Sequence, residues 1–196
     1  MPDSEITAAK DRTRRVWGIG DYTRIAQLLE PAAAALIDAC AVSAGQEVLD
    51  VAAGSGNFAV LAAREGASVM ALDLSPDQVE LGRARCEAEG LSVEWVEGDA
   101  EDLPFEDERF DCVGSVFGAV LTPQPDVAAR ELFRVVRPGG TVGLTAWPKD
   151  GFQDRLFTLV ASYSPVQDNL PRHTEIWGSE ELIRSRLEPL ASSVTV

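Results

Sequence analysis

Three short stretches of the chain carry residue types able to hold a nucleotide-like ligand. The first, Asp50-Val51-Ala52-Ala53-Gly54-Ser55-Gly56-Asn57, follows a buried-looking apolar run and leads into a helical one. Gly54 and Gly56 allow a tight turn and let a ligand approach where a Cβ would collide. The first N–H groups of the helix that follows stay unpaired and face that ligand. The second is Asp73, just past the next apolar run. A carboxylate there can accept both hydroxyls of a ribose, and charge-assisted bonds of that kind contribute roughly 1.5–3 kcal/mol each. The third is Asp99-Ala100, within VEGDAEDLPF, placed to accept the exocyclic amine of an adenine while Leu74 and Ala100 cover its faces. Each has a plainer reading. The glycines can form an ordinary turn, Asp73 can compensate the helix dipole near Ser75, and Asp99 can be one solvated residue of the acidic run Glu97 to Glu108.

The elements that must position these residues follow from periodicity. Pro31 is expected to open a helix in which Ala33, Leu36, Ile37 and Cys40 recur at i, i+3, i+4 and i+7. Glu47 to Val51, Ala67 to Leu72, Leu91 to Val96, Phe110 to Val116 and Thr141 to Trp147 read as five strands. Between them lie helical runs ending near Glu65, Glu89 and Val136, the last closed by Arg137-Pro138-Gly139-Gly140. Ser75-Pro76-Asp77-Gln78 has the form of a capping box. Strands alternating with helices at this spacing predict an α/β fold, a doubly wound, Rossmann-like, mainly parallel sheet covered on both faces. In such sheets ligands bind at the carboxyl ends of the strands, where all three stretches fall. Beyond Trp147, Phe152, Leu156, Val160 and Tyr163 predict one more helix, and Ser179 is placed to cap another.

The elements VLDVAAGSGN, ALDLSP, EGDAEDLPFEDERFDCV and ELFRVVRPGG together resemble the class I S-adenosylmethionine-dependent methyltransferases. The wording is most similar to the group containing the ubiquinone/menaquinone C-methyltransferases. The resemblance spans roughly Glu47 to Trp147, about half the chain. It implies S-adenosyl-L-methionine as cofactor, with Gly54, Ser55 and Gly56 against its methionine part, Asp73 on the ribose, and Asp99 with Ala100 at the adenine. Asp50, Ala52, Leu74 and Ser115 complete the expected contacts. Ala52 departs from the pattern, standing where many members have the first glycine of the turn. The same stretch also satisfies a dinucleotide pattern, Gly54-x-Gly56-x-x-Ala59, with Asp73 nineteen residues after the first glycine. Against a nicotinamide enzyme stand Asp50, whose charge would oppose a pyrophosphate, the otherwise unexplained Asp99, and the lack of any Tyr-x-x-x-Lys pair. A protein that binds the cofactor without catalysis is a further alternative.

Composition narrows the chemistry. With 17 basic against 32 acidic residues, the net charge of −15 argues against a nucleic-acid partner and an anionic membrane surface. No stretch approaches 18 uncharged apolar residues, and no signal-peptide pattern opens the chain. A single histidine, His173, makes a His-rich metal site unavailable, and no metal is expected. Cys40, Cys86 and Cys112, an odd and scattered set, suit reduced thiols in a cytoplasmic protein. Methyl transfer is chiefly a matter of alignment, which can supply roughly 7–11 kcal/mol of a barrier. An acceptor needing deprotonation would also require a base, for which the chain offers only His173 and Tyr22. The Asn-Pro-Pro-Tyr-like motif of nucleic-acid amino-methyltransferases is absent from Ser115 to Gly118. Phe117, Trp147, Trp17 and Tyr22 are candidates to line an apolar pocket, so the expected acceptor is small and partly apolar, methylated on carbon or oxygen.

The domain reading is a polar arm over 1–22 and a methyltransferase-like domain over 23–196, with a cofactor half at about 44–147 and an acceptor-side segment at about 148–196. At 196 residues one domain is comfortable. Yet the family usually carries seven strands, the last two an antiparallel hairpin covering the fifth. Here at least one expected strand is missing or unrecognised, which would leave TVGLTAW as a bare edge. Pairing by Ser192 to Val196, a second copy in a homodimer, or a longer parent protein would each account for it, and the last is the favoured expectation.

Overall fold

The computed structural model describes residues 3–19, 22–163 and 172–196. The chain divides into two compact units, Met1–Thr145 and Ala146–Val196. In the first, helices α1 (Asp3–Trp17) and α2 (Thr23–Ala39) precede β1 (Glu47–Val51), α3 (Asn57–Arg64), β2 (Ser68–Asp73), α4 (Pro76–Glu89) and β3 (Val93–Glu97). Then come β4 (Phe110–Val116), a 3-10 turn (Ala119–Leu121), α5 (Pro125–Val135) and β5 (Val136–Thr145). The five strands form one all-parallel sheet in the order β3-β2-β1-β4-β5. Strand order therefore reverses between β1 and β4, the switch point at which open α/β sheets bind ligands.

Alternation along each strand feeds two cores. Val48, Val69, Ala71 and Cys112 pack with Leu36 and Ile37 of α2, Phe58 and Val60 of α3, and Val79 of α4. Their neighbours Leu49, Val51, Met70, Leu72 and Val113 pack with Leu132 and Val135 of α5 and with Leu103 and Phe105 of the loop after β3. Burial on both faces is why these strands read as continuous apolar runs rather than alternating ones. The acidic loop is pinned to α5 by Arg134, whose guanidinium donates to the carbonyls of Leu103 and Phe105 at 2.9 and 2.7 Å, while Glu131 accepts the Leu103 N–H.

Several expectations are corrected. The first 22 residues are not an arm throughout, because Asp3–Trp17 is helix α1, packed against α4. Residues 1–2 and 20–21 lie outside the described residues. Acidic Asp3 and Glu5 in its first turn and basic Arg14 and Arg15 in its last suit the helix dipole, but α1 has too few apolar positions for periodicity to reveal. Pro31 lies inside α2 instead of opening it. It sits on the exposed face, where water can satisfy the carbonyl that its missing N–H leaves behind. Ser75 does precede α4, but no capping box forms. The Asp73 carboxylate accepts the Ser75 N–H, and the Gln78 amide is drawn to the Trp17 carbonyl at 2.7 Å. Strand β5 begins at Val136, and Arg137 to Gly140 form an irregularity within it, opposite Asp111, instead of ending the helix before it.

The second unit holds α6 (Phe152–Ser162), α7 (His173–Trp177) and α8 (Glu180–Leu187). Buried Asp154 of α6 accepts the Thr174 hydroxyl at 2.6 Å and the Arg172 guanidinium at 3.2 Å, tying α6 to the start of α7. Ser179 caps α8, accepting the Leu182 N–H. Ser192 to Val196 form no strand, so the first of the three accounts of the β5 edge, pairing by this tail, is not observed.

Candidate functional site

The turn after β1 is held open by its backbone. Gly54 (φ +55°) and Gly56 (φ +81°) take left-handed conformations that favour glycine. Ala52 takes one too, at φ +53°, so the missing family glycine is replaced by a strained alanine. Gly118, just past β4, is what admits that conformation, since a Cβ there would collide with the Ala52 carbonyl oxygen and Cβ. On the same rim Phe117 stands at φ +60°, a conformation an aromatic residue adopts only when its surroundings force it. Its N–H donates to Thr145 Oγ1 at 2.9 Å. Backbone strain is thus concentrated on both lips of the switch point.

Of the expected site residues, Asp73, Asp50 and Ser115 bond the turn or the elements that flank it, whereas Asp99, Ala100 and Leu74 make their contacts elsewhere. Asp73, 9% exposed, accepts the Gly54 N–H at 2.7 Å through one carboxylate oxygen and the Ser75 N–H at 2.8 Å through the other. Burial raises its pKa against the pull of those N–H groups. Asp50, 1% exposed, accepts the Ala59 N–H of α3 at 2.9 Å. Burial pushes its carboxyl up to about 8, opposed by that hydrogen bond and helped by the Asp73 charge. With its carboxyl largely neutral at pH 7, Asp50 would repel a pyrophosphate only weakly. Ser55 is buried, and its carbonyl lies 3.4 Å from Arg85. Arg85 also donates to Asn57 and pairs with Glu30, fixing the start of α3 against α2 and α4.

Ser115 spends its hydroxyl internally, donating to the Val51 carbonyl at 2.6 Å and accepting the Ala119 N–H at 2.9 Å. It braces β1 against β4 at the switch point. Ala100 is buried in the second core, whereas Leu74 is half-buried and its carbonyl accepts Arg14 of α1. Asp99 is paired with Lys10 at 2.6 Å. Tyr22 sits over the turn, with a ring carbon 3.6 Å from where a Gly54 Cβ would lie and its ring edge-on to Trp17. Burial and the Asp73 charge raise the Tyr22 phenol pKa, which disfavours a tyrosinate base. His173 belongs to the second unit, edge-on to Phe157, with its pKa lowered by burial. The imidazole is accordingly neutral at pH 7.

Sequence reasoning missed Lys10, Gln78 and Glu101, which join the site through contacts with residues 23 to 91 positions away. No local pattern signals such partners. Three buried oxygens around the turn, Asp50 Oδ1, Ser75 Oγ and Gln78 Oε1, have no hydrogen-bond partner. Buried polar atoms without a protein partner are available to water or to a ligand's polar groups, and a nucleoside bearing a polar, amino-acid-like tail offers such groups. Among the described residues no cluster of His, Cys, Asp and Glu is arranged to hold a metal ion.

Comparison with known proteins agrees with this geometry. Residues 48–140 match the methyltransferase domain family. An uncharacterised protein of Mycobacterium tuberculosis is 39% identical over 190 residues, covering 93% of this chain and 69% of its own length. A demethylmenaquinone methyltransferase of Clavibacter sepedonicus is 32% identical over 197 residues, covering 93% of this chain and 77% of its own. Among solved structures, a candidate methyltransferase of Bacillus halodurans superposes with a TM-score of 0.58 at 35% identity, covering 66% of this chain. This chain spans 57% of that structure's length. The chain belongs to the class I S-adenosylmethionine-dependent methyltransferases, and S-adenosylmethionine is its cofactor.

Proposed function

We propose that the protein transfers a methyl group from S-adenosylmethionine to a small, partly apolar acceptor, on carbon or oxygen. The observation that carries this reading is the Asp73 carboxylate, buried at the end of β2 and hydrogen-bonded to the Gly54 N–H, beside unpartnered buried oxygens on Asp50, Ser75 and Gln78. The cofactor, when bound, supplies an electrophilic methyl on a sulfonium whose leaving group needs no acid. The protein's task is therefore to hold and align. Asp73 is the acceptor for the ribose hydroxyls, Gly54 and Gly56 keep side chains out of the methionine path, and Asp99 with Leu74 and Ala100 addresses the adenine. Asp50 gives a polar, proton-holding wall behind the turn, and Ser115 keeps the crevice at a fixed width.

Phe117, Trp17 and Tyr22 are the aromatic groups of the first unit assigned to exclude water on the acceptor side. The name of the Clavibacter relative supports an apolar, quinone-like acceptor. Neither His173 nor Tyr22 is assigned as base. The buried free thiols of Cys40, Cys86 and Cys112 support a cytoplasmic setting, and the open edge of β5 supports a homodimer.

Calorimetric titration with S-adenosylhomocysteine and, separately, with NAD tests the reading. Binding of the first alone is expected, and Asp73→Ala should weaken it by roughly tenfold or more, the value of one charge-assisted bond. Binding of NAD alone would overturn the assignment. Methyl transfer from labelled cofactor into nucleic acid, with none into small organic extracts, would overturn the acceptor class.

A further inference from the structure

Helix α1 lays one stripe of side chains along the loops that follow β2 and β3. Lys10, Arg14 and Trp17 recur at i, i+4 and i+7, which places them on one face. Lys10 pairs with Asp99 and Glu101, Arg14 Nε donates to the Leu74 carbonyl at 3.1 Å, and the Trp17 carbonyl accepts the Gln78 amide at 2.7 Å. The first two contacts land on residues assigned to the adenosine end of the cofactor, and the third on Gln78 of α4, near Gly54.

The Lys10 contact is the most demanding of the three. Its ammonium lies 2.6 Å from Asp99 Oδ2 and 2.5 Å from Glu101 Oε2. The Glu101 side chain is only 1% exposed. It also accepts the backbone N–H of Gln124 at 2.6 Å and the Gln124 side-chain amide at 2.9 Å. Asp99 accepts the Glu101 N–H through its other oxygen, at 2.9 Å. One cation from α1 is thus shared by the carboxylate assigned to the adenine and by a buried carboxylate anchored to the approach of α5. A carboxylate held by a backbone N–H on one oxygen and an ammonium on the other has a fixed plane and lone pairs left to accept one more donor.

We propose that Lys10 is a positioning residue for the adenine of the cofactor, orienting the Asp99 carboxylate through the Lys10–Glu101–Gln124 chain and making α1 part of the cofactor site. The inference rests on the assignment of Asp99 to the adenine amine. It distinguishes this chain from a bare sheet-and-turn site, because affinity for the nucleoside then depends on a helix that precedes the sheet in sequence.

The test is calorimetric binding of S-adenosylhomocysteine, and of its 6-oxo purine counterpart, to the full chain. Asp99→Ala should weaken S-adenosylhomocysteine roughly tenfold to a hundredfold, as loss of a charge-assisted bond does. Lys10→Met keeps the stem and removes the charge, and should weaken it by a similar factor while reducing discrimination against the 6-oxo analogue. Lys10→Arg should restore most of both. Lys10→Met leaves Glu101 buried without its cation, so Lys10→Met with Glu101→Gln supplies a folded control, the new amide oxygen accepting the Gln124 N–H and its NH2 donating to the Gln124 side-chain oxygen once that amide flips. Its thermal transition should return toward that of the parent while its affinity stays low. Affinity that recovers with the fold would overturn the positioning role and leave Lys10 a purely structural ion pair. Asp99→Ala with unchanged affinity would overturn the adenine assignment itself. A weak Asp99→Ala beside an unaffected Lys10→Met would overturn only the role of Lys10.

Discussion

Replacing Asp50 by asparagine should stabilise the protein, and by more as the pH rises. Asp50 is 1% exposed, and burial lifts its carboxyl from 3.8 to about 8. Between those values the folded protein keeps a proton that the unfolded chain has released. Stability contributed by this group is therefore complete below about pH 4 and is lost progressively as the pH climbs to about 8. At 1.36 kcal/mol per pH interval, the loss between 3.8 and pH 7 has an upper limit of roughly 4 kcal/mol. Asp50→Asn keeps the volume and an oxygen to accept the Ala59 N–H, and has no proton to lose. Urea unfolding of parent and variant at about pH 5.5 and about pH 8 reads the effect, since carboxyls other than the coupled Asp73 cancel in the difference. The stability gap in favour of the variant should widen by up to roughly 3 kcal/mol between the two conditions, with unchanged m-values. A gap that stays constant, or a variant less stable than the parent at the higher pH, would refute the reasoning. It would mean that Asp50 is ionised at neutral pH despite its burial.

Two further outcomes concern the rim of the switch point. Gly118→Ala forces a Cβ into the Ala52 backbone, which has no room to give. It should lower unfolding free energy by roughly 1–3 kcal/mol in urea titration, the range for overpacking, and Ala52→Gly in the same chain should recover part of that loss. Tyr22→Phe should leave the alkaline limb of the rate profile unchanged. The raised phenol pKa argues that no tyrosinate takes part; a limb that disappears in the variant would identify Tyr22 as the base after all.

Much of the cofactor half was legible because its signals are local. Gly54 and Gly56 between an apolar strand and a helix, Asp73 at the next strand end and Asp99 at the third all lie where α/β connectivity delivers them. The elements that were misread had nonlocal causes. Helix α1 has Ala9 as its buried position, and it is anchored by ion pairs to residues far along the chain, so periodicity gave no warning. The Ser75 capping box failed because Asp73 accepts the Ser75 N–H that Gln78 would have taken, while the Gln78 amide turns to the Trp17 carbonyl and the Gln78 N–H bonds the Ser75 carbonyl. The tail over Ser192 to Val196, whose sequence leaves pairing and no strand both open, has strand composition but forms none, since β-propensity alone does not make a strand.

The sequence by itself determined the parallel sheet, the order of its elements and the placing of Asp50, Asp73 and Asp99 at or just past the strand ends, since apolar alternation and turn chemistry act over a few residues. Only the tertiary structure decided what those carboxylates are. Burial makes Asp50 a proton holder, two backbone N–H groups occupy Asp73, and a lysine from another helix shares Asp99 with a buried glutamate. Charge state and orientation depend on desolvation and on partners brought in from distant positions, and neither is encoded within the reach of a motif.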